Sequence, residues 1–234
     1  MKSKIIKVKT KSKNYEVHIG IDLIPKLKNI LKKKKFIFSK CLIVIDNKIP
    51  KKFRKSLFKN FKSQKFYTLD FNANEKNKSH LSVDKIHNAL FKNNFYRDDC
   101  IISFGGGITG DVVGYAASTF KRGIRFINIP STLLAQVDSS IGGKTGINNK
   151  FGKNLIGSFY QPDLVISDIN LLHTLPKREI ICGYAEILKS SLIDNKKKFM
   201  FLDKNFKKIF SLKENYIIRA ILNSCLLKKK IIEK

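Results

Sequence analysis

The chain has 234 residues, of which 43% are hydrophobic and 28% are charged, so its composition is that of a globular protein and excludes a disordered one. Lys and Arg number 47 against 18 Asp and Glu, and the resulting net charge of +29 attracts phosphate groups of any kind. Because the lysines are spread along the whole chain, we interpret most of this charge as a solvated surface. A dedicated nucleic-acid-binding face is the minority interpretation.

Predicted strands and helices alternate through the first three quarters of the chain. Alternating polar and apolar residues predict an opening antiparallel pair at Lys4–Thr10 and Tyr15–Ile19. The elements that follow are a helix at Ile24–Leu31, a strand at Cys41–Ile45, a helix at Pro50–Asn60, a strand at Lys65–Leu69, a helix at Ser82–Asn93, a strand at Cys100–Phe104, a helix at Gly110–Thr119, and strands at Arg125–Ile129 and Leu164–Ser167. This alternation predicts an α/β fold with a mostly parallel sheet covered on both faces.

The pattern changes after Pro176, where three helices are predicted in succession at Lys177–Ile193, Lys196–Phe210 and Lys213–Ile232. We therefore predict an α/β domain at residues 1–175 and a helical domain at residues 176–234. The last helix pattern continues to the final residues without a cap, so we expect the second domain to be incomplete. No apolar run is long enough to cross a bilayer, and the four cysteines form no CxxC pair. These features predict a cytoplasmic protein without a membrane partner.

A glycine motif, Gly105-x-Gly107-x-x-Gly110, lies between a predicted strand and a predicted helix. Glycines at such a turn allow a pyrophosphate to approach the backbone at the helix N-terminus. Tight turns also need glycine for conformational reasons, and no acidic residue follows the next strand in Phe126–Ser131. A nucleotide site and a plain turn therefore both remain open.

A second polar segment, Asp138–Gly146, is followed by Gly152-Lys153-Asn154. Small residues and lysines at this density favour an anion-binding loop over a flexible basic surface loop. The segment contains Gly-Gly-Lys-Thr but lacks the spacing of a P-loop, because Ser139 stands where that motif needs glycine. A nucleoside triphosphatase is therefore disfavoured.

Glu186 and Lys189 are three residues apart on a predicted helix and share one face. An isolated pair of this kind is usually a surface ion pair. Here the apolar neighbours Ile180, Ile181 and Ile187 predict a largely buried helix, in which a carboxylate needs a partner or a metal ion.

Taken together and in order, these motifs resemble the 3-dehydroquinate synthase family. The matching segments are Gly105–Asp111, Arg122–Phe126, Pro130–Thr145, Gly152–Gly157, Tyr160–Pro162, Thr174–Pro176 and Gly183–Lys189. The resemblance implies a Rossmann-like NAD-binding domain followed by the start of an all-helical metal-binding domain. It also implies a homodimeric shikimate-pathway lyase that uses NAD and a divalent metal, zinc or cobalt. Its substrate would be 3-deoxy-D-arabino-heptulosonate 7-phosphate (DAHP), which it converts to 3-dehydroquinate and phosphate.

The resemblance also assigns roles to residues. NAD contacts would come from Asp46, Ala73, Asn74, Glu75, Lys76, Asn77, Lys78, Gly107, Ile108, Thr109, Gly110, Asp111, Ser131, Thr132, Lys144, Lys153, Leu171, Leu172, His173 and Thr174. Catalytic residues around the substrate would be Arg122, Asp138, Lys144, Lys153, Asn154, Lys189 and Lys228. Glu186 would be a metal ligand. The family's two further histidine ligands have no counterpart here, so we expect weak metal binding and poor turnover by this chain alone.

Two alternatives come from different classes of protein. The first is a related sugar-phosphate cyclase or a glycerol-dehydrogenase-like enzyme, and the second is a non-catalytic protein that binds only NAD or nucleic acid. Asn154 and the basic residues around the proposed substrate favour the acidic substrate DAHP over the first alternative.

Overall fold

A computed structural model describes residues 3–62 and 65–234. The strands are β1 (Lys4–Lys9), β2 (Asn14–Gly20), β3 (Lys40–Asp46), β4 (Lys65–Phe71), β5 (Cys100–Gly105), β6 (Arg125–Pro130), β7 (Lys144–Asn149), β8 (Gly152–Phe159) and β9 (Leu164–Asp168). The α-helices are α1 (Leu27–Lys33), α2 (Lys51–Phe58), α3 (His80–Lys92), α4 (Gly107–Thr119), α5 (Lys177–Asp194), α6 (Lys196–Phe210) and α7 (Glu214–Ile232). The predicted alternation and the three successive helices are confirmed.

Within the described ranges, seven strands form one sheet in the order β1-β2-β9-β6-β5-β3-β4. Only the edge strand β1 runs antiparallel to its neighbour. The chain runs from β3 outward to β4 and then returns past β3 to β5, so the strand order reverses between β3 and β5. Open α/β sheets bind ligands outside the carboxyl ends of the strands at such a reversal. Those ends are Asp46 and Gly105.

The central strands are buried along almost their whole length because helices cover both faces of the sheet. Successive residues of β3 point to opposite faces, so Ile43 packs with α1 and α2 whereas Val44 packs with α3 and α4. This double burial explains why these strands are continuous apolar runs without a polar side.

The helices α5–α7 pack against the end of the sheet that contains β1 and β2. Ile187, Leu202 and Ile221 belong to the same hydrophobic cluster as Val8 and Val17. The division into domains at residue 176 stays a prediction. No helix within the described ranges is long and apolar enough to span a membrane.

Three local predictions were wrong. The helix predicted from Gly110 begins at Gly107, so the glycine motif forms its first turn. The segment predicted as an anion-binding loop is not simply a loop, because it runs into the antiparallel hairpin β7–β8, in which Gly146 lies opposite Gly157. Its binding of anions stays a prediction. The helix α5 is not largely buried, since Ile181 is 47% exposed. One face of α5 contacts the core and the other faces solvent.

Candidate nucleotide and substrate site

The glycine turn after β5 lies at the reversal of the sheet. A Cβ atom at Gly105 would lie 2.7 Å from Thr109 Cβ and 2.9 Å from Asp46 Cβ, so only glycine fits there. The cap residue Gly106 gives α4 no side-chain hydrogen bond. The first N–H groups of α4 therefore remain available, and together with the helix dipole they form a site for an anion.

The space in front of this helix N-terminus is bounded by small polar side chains. A Cβ at Gly107 would lie 3.1 Å from Ser139 Oγ, and one at Gly106 would lie 3.2 Å from Thr132 Cγ2. Thr109 Oγ1 is buried without a hydrogen-bond partner among the described residues. These features fit the pyrophosphate of a dinucleotide, since its oxygens would accept hydrogen bonds from the helix N-terminus.

Two neighbouring segments converge on the turn from the adjacent strands. Ser131 follows β6, and its N–H donates to Gly105 O at 2.8 Å. Asp46 ends β3 and accepts a hydrogen bond from the Lys48 N–H at 3.0 Å. Desolvation by burial raises the pKa of Asp46. The predicted NAD contacts Asp46, Ser131 and Gly107–Asp111 are therefore brought together.

The predicted cofactor segment 73–78 forms a 3₁₀ turn that is anchored at both ends. Asn74 caps the turn by accepting from the Asn77 N–H at 2.9 Å. Lys78 is buried, and its Nζ lies 2.5 Å from both Asp111 Oδ2 and Asn154 Oδ1. Burial raises the pKa of Asp111 even though Lys78 acts in the opposite direction. Lys78 thus connects α4 to the hairpin.

A pocket of about 580 Å³ lies beside this network. It contains predicted residues from both groups, namely Asp111, Asp138, Lys144, Asn154 and Lys228. The Nζ of Lys228 donates to Asp138 O at 2.5 Å and also to the Asp138 carboxylate. Lys144 forms no ion pair with any residue that the structure describes, so its charge is available to an anionic ligand.

Lys153 and Lys189 do not line the pocket, although Lys153 immediately precedes the lining residue Asn154. Lys153 Nζ is 3.6 Å from Glu75 Oε2. Lys189 Nζ is 2.6 Å from Glu186 Oε1, and this hydrogen bond, with a smaller contribution from Asp138, raises the pKa of Lys189. Both lysines are more than half exposed.

Glu186 is the predicted metal ligand, and its carboxylate is already paired with Lys189. Across residues 3–62 and 65–234, no three His, Cys, Asp or Glu side chains are grouped so that they could hold a metal ion. A catalytic zinc site normally has three protein ligands. The described residues therefore do not fit a divalent metal on their own.

Three predicted site residues lie elsewhere. Arg122 lines a separate pocket of about 540 Å³ beyond the amino end of β6, the edge of the sheet opposite the glycine turn. Leu171 and Leu172 have their side chains in the hydrophobic core, so only their backbone atoms are available to a ligand. Within one chain, these residues are not brought to the pocket that contains Asp138.

The rest of the segment 171–174 lies near the carboxyl end of β9. His173 lines a pocket with Asp168, and Thr174 donates to the carbonyl of Leu171 at 2.8 Å. This pocket is at the same edge of the sheet as the glycine turn, as a cofactor-binding position requires.

Sequence reasoning missed Asn148 and Phe159. Asn148 hydrogen-bonds with Glu75 and Asn154, and Phe159 lines the 580 Å³ pocket with 77% of its surface exposed. The available signal was Asn148-Asn149 followed by Gly152, which is typical of a hairpin turn between two short strands.

Solved structures with the same fold include two sugar phosphate cyclases. A 2-deoxy-scyllo-inosose synthase, solved with carbaglucose-6-phosphate, NAD⁺ and Co²⁺, has a TM-score of 0.87 at 24% identity and matches 99% of this chain and 64% of that one. The 2-epi-5-epi-valiolone synthase of Streptomyces hygroscopicus was solved with NAD⁺ and Zn²⁺. It has a TM-score of 0.82 at 26% identity, and the match covers 91% of this chain and 59% of that one. The chain thus has the sugar phosphate cyclase fold, with a nucleotide-type glycine turn.

Sequence relatives identify the family within this fold. A family model described as 3-dehydroquinate synthase N-terminal matches residues 68–182. The 3-dehydroquinate synthase of Pelagibacter ubique is 58% identical over 97% of this chain and 62% of its own length. That of Bartonella tribocorum is 42% identical over 100% of this chain and 63% of its own length. The chain belongs to the 3-dehydroquinate synthase family. It spans less than two thirds of the length of these relatives.

Proposed function

We propose that this chain forms the NAD-binding and substrate-binding part of a 3-dehydroquinate synthase. The reaction is the conversion of DAHP to 3-dehydroquinate and phosphate in the shikimate pathway, a carbon–oxygen lyase reaction in the cytoplasm. The observation that carries the proposal is the position of Asp111, which belongs to α4 behind the glycine turn and also lines the lysine-containing pocket. A dinucleotide on the turn and an acidic substrate in the pocket would therefore be neighbours.

The residues of the chain bind and orient the two ligands. The N–H groups at the start of α4 would hold the pyrophosphate, and Glu75 would accept hydrogen bonds from ribose hydroxyls. Lys144 and Lys228 would bind the phosphate and carboxylate of DAHP, since lysine supplies a point charge with three donors. NAD supplies the hydride acceptor when it is bound.

Basic and acidic groups alternate around the proposed substrate position. The carboxylates of Asp111 and Asp138 are each held by a lysine, Lys78 and Lys228 respectively. Charged donors and acceptors fixed in this way can orient the hydroxyl groups of a sugar acid without rearranging. We propose that these pairs align the substrate while Lys144 neutralises its charge.

The described residues do not by themselves make a metal site. The relatives extend beyond the length of this chain, so the metal-dependent activity belongs to the proposal for the whole protein. We propose a homodimer as its assembly, and a small anionic substrate, rather than nucleic acid or a membrane, as its partner.

The test combines NAD binding with phosphate release. We expect calorimetry to detect NAD binding, because the glycine turn and the segment 73–78 are both formed. We expect phosphate release from DAHP to be slow with added Zn²⁺ or Co²⁺, because Glu186 provides a single carboxylate that is paired with Lys189. Glu186→Ala is the control.

Absence of NAD binding would contradict the proposal. Fast phosphate release that Glu186→Ala abolishes would show that another residue or a second subunit completes a metal site, and it would refute the expected slow turnover. Identification of the product separates DAHP chemistry from that of a related sugar phosphate cyclase, because a related enzyme would not form 3-dehydroquinate.

A further inference from the structure

Asn148 lies at the end of β7 and reaches across to the 3₁₀ turn that contains Glu75. Its Nδ2 donates to Glu75 Oε2 at 2.9 Å and to Glu75 O at 3.2 Å. Its Oδ1 accepts from the Asn154 N–H at 3.0 Å. One side chain therefore joins the proposed cofactor segment to the strand that carries Lys153 and Asn154.

The orientation of this amide is fixed by its partners. The nitrogen faces two acceptors on Glu75 and the oxygen faces an N–H, so the flipped amide would lose all three hydrogen bonds. The hydrogen bond from Asn148 is also the main cause that lowers the pKa of Glu75, with Lys153 and Lys78 acting in the same direction. The contact thus holds Glu75 as a carboxylate.

Asn154 adopts a left-handed conformation, with a φ of 59°. A non-glycine residue in this region needs support from its surroundings. Asn148 Oδ1 binds its N–H, and the same Asn154 places its Oδ1 against Lys78 Nζ. The hydrogen bond from the Asn154 N–H to Asn148 thus supports the conformation that directs Asn154 toward Lys78.

We propose that Asn148 is a positioning residue that couples the NAD-binding segment around Glu75 to the substrate-binding hairpin β7–β8. Occupation of the cofactor segment would thereby order Lys153 and Asn154 before the substrate binds. The assignment of ligands to the two segments rests on the proposed function. The two segments are also joined by Lys78 Nζ with Asn154 Oδ1 and by Lys153 with Glu75. The role proposed for Asn148 rests on the three hydrogen bonds of its side chain.

The chain offers a matched control in the adjacent residue. Asn149 is also an asparagine of the hairpin, but its Oδ1 accepts only from the N–H groups of Phe151 and Gly152 within the turn. Asn149→Ala therefore weakens the hairpin without touching the cofactor segment. Asn148→Ala removes the three side-chain hydrogen bonds, while the backbone hydrogen bond from Asn148 N to Lys78 O can remain.

The first experiment uses the full chain without ligand and measures amide hydrogen exchange in residues 144–159. We expect Glu75→Ala and Asn148→Ala each to accelerate exchange at Asn154 about tenfold, the effect of losing roughly one hydrogen bond. In the double variant the acceleration should be smaller than the product of the two single effects, because both changes remove the hydrogen bond between Asn148 Nδ2 and Glu75 Oε2. Additive acceleration would overturn the proposal.

Exchanging the charged and neutral side chains at positions 75 and 148 tests their contact more specifically in the same ligand-free experiment. Asn148→Asp keeps an acceptor for the Asn154 N–H but places a carboxylate against Glu75, so we expect faster hairpin exchange. Adding Glu75→Gln restores a donor–acceptor pair with reversed direction at the same net charge. We expect the double variant to recover part of the slow exchange, since the hydrogen bond to Glu75 O is not restored. An exchange rate as fast as that of Asn148→Asp alone would count against the link.

The second experiment adds NAD. In the parent chain and in Asn149→Ala, NAD should slow exchange across the hairpin, whereas in Asn148→Ala this response should fall about tenfold with NAD still bound. An undiminished response in Asn148→Ala would overturn the proposal. If calorimetry shows that the parent chain binds no NAD, the proposed function fails, and the ligand-free exchange measurements decide the coupling separately.

Discussion

Glycines of the nucleotide turn serve two different purposes, which the packing around them distinguishes. At Gly105 any Cβ would overlap Thr109 and Asp46, so glycine is needed for the fold itself. At Gly107 a Cβ would meet only the hydroxyl of Ser139 at 3.1 Å, and that side chain can rotate away. Gly107 is thus free to be replaced without loss of the fold, and its small size serves the ligand.

This difference predicts the effect of Gly107→Val. The substituted side chain would occupy the space where the pyrophosphate approaches the start of α4, so NAD affinity should fall about tenfold or more, equivalent to about 1.4 kcal/mol. Calorimetric titration with NAD measures the change. Ile108→Val in the same turn is the control, since it leaves the approach open.

An unchanged NAD affinity in Gly107→Val would place the cofactor elsewhere. Thermal melting of both variants shows whether the fold is intact, and we expect their midpoints to lie close to that of the parent chain.

At the scale of the element, the hairpin β7–β8 owes its geometry to a facing pair of glycines. A Cβ at Gly157 would overlap the carbonyl oxygen of Thr145, and a Cβ at Gly146 would lie 2.7 Å from Ile156 O. The strands therefore approach more closely than residues with side chains allow. The same hairpin packs on α4, where a Cβ at Gly114 would lie 2.5 Å from Thr145 Cγ2.

Gly157→Ala should consequently destabilise the protein. The added methyl group has no room beside a backbone carbonyl, and overpacking of this kind costs about 1–3 kcal/mol. Urea unfolding measures the free energy of unfolding. Gly152→Ala is the matched control in the same strand, because its nearest neighbour is the flexible end of Leu155 at 3.1 Å. Equal stability of the two variants would refute the tight approach of the strands.

At the scale of the whole molecule, the net charge of +29 dominates the electrostatics. Only a minority of the lysines face a carboxylate, and the described pairs include Lys78 with Asp111 and Lys228 with Asp138. The other cations repel one another across the surface, and this self-repulsion opposes the compact state. Its range is about 8 Å at physiological ionic strength.

Chloride salts should therefore stabilise the protein. We expect the melting temperature to rise by about 2–4 °C between low salt and about 0.3 M, the shift that roughly 1 kcal/mol produces in a chain of this size. Scanning calorimetry in NaCl and in KCl provides the measurement, and the two should agree. A flat or falling melting temperature would show that the charge does not oppose folding. Phosphate and sulfate are avoided because they would bind the lysine-lined pocket.

The sequence by itself determined the family and most elements of this fold, with the hairpin β7–β8 as the main exception. Continuous apolar runs such as Cys41–Ile45 predict strands buried on both faces, and the helices after Pro176 follow from periodic apolar residues. The glycine turn was also visible, because its spacing reflects local backbone requirements. Local patterns of this kind depend on residues that are close in sequence.

Only the tertiary structure decided which predicted site residues meet. Lys78, Asp111 and Asn154 lie on three separate segments, and their ion pair and hydrogen bonds exist because the hairpin packs on α4. The same packing shows Asn148 in a role that its sequence position does not indicate. The tertiary structure also separates Arg122 from the pocket. Arg122 lies at the amino end of β6, which is at the opposite edge of the sheet from the glycine turn. Strand order and long-range packing set these distances, and neither is encoded in residue spacing along the chain.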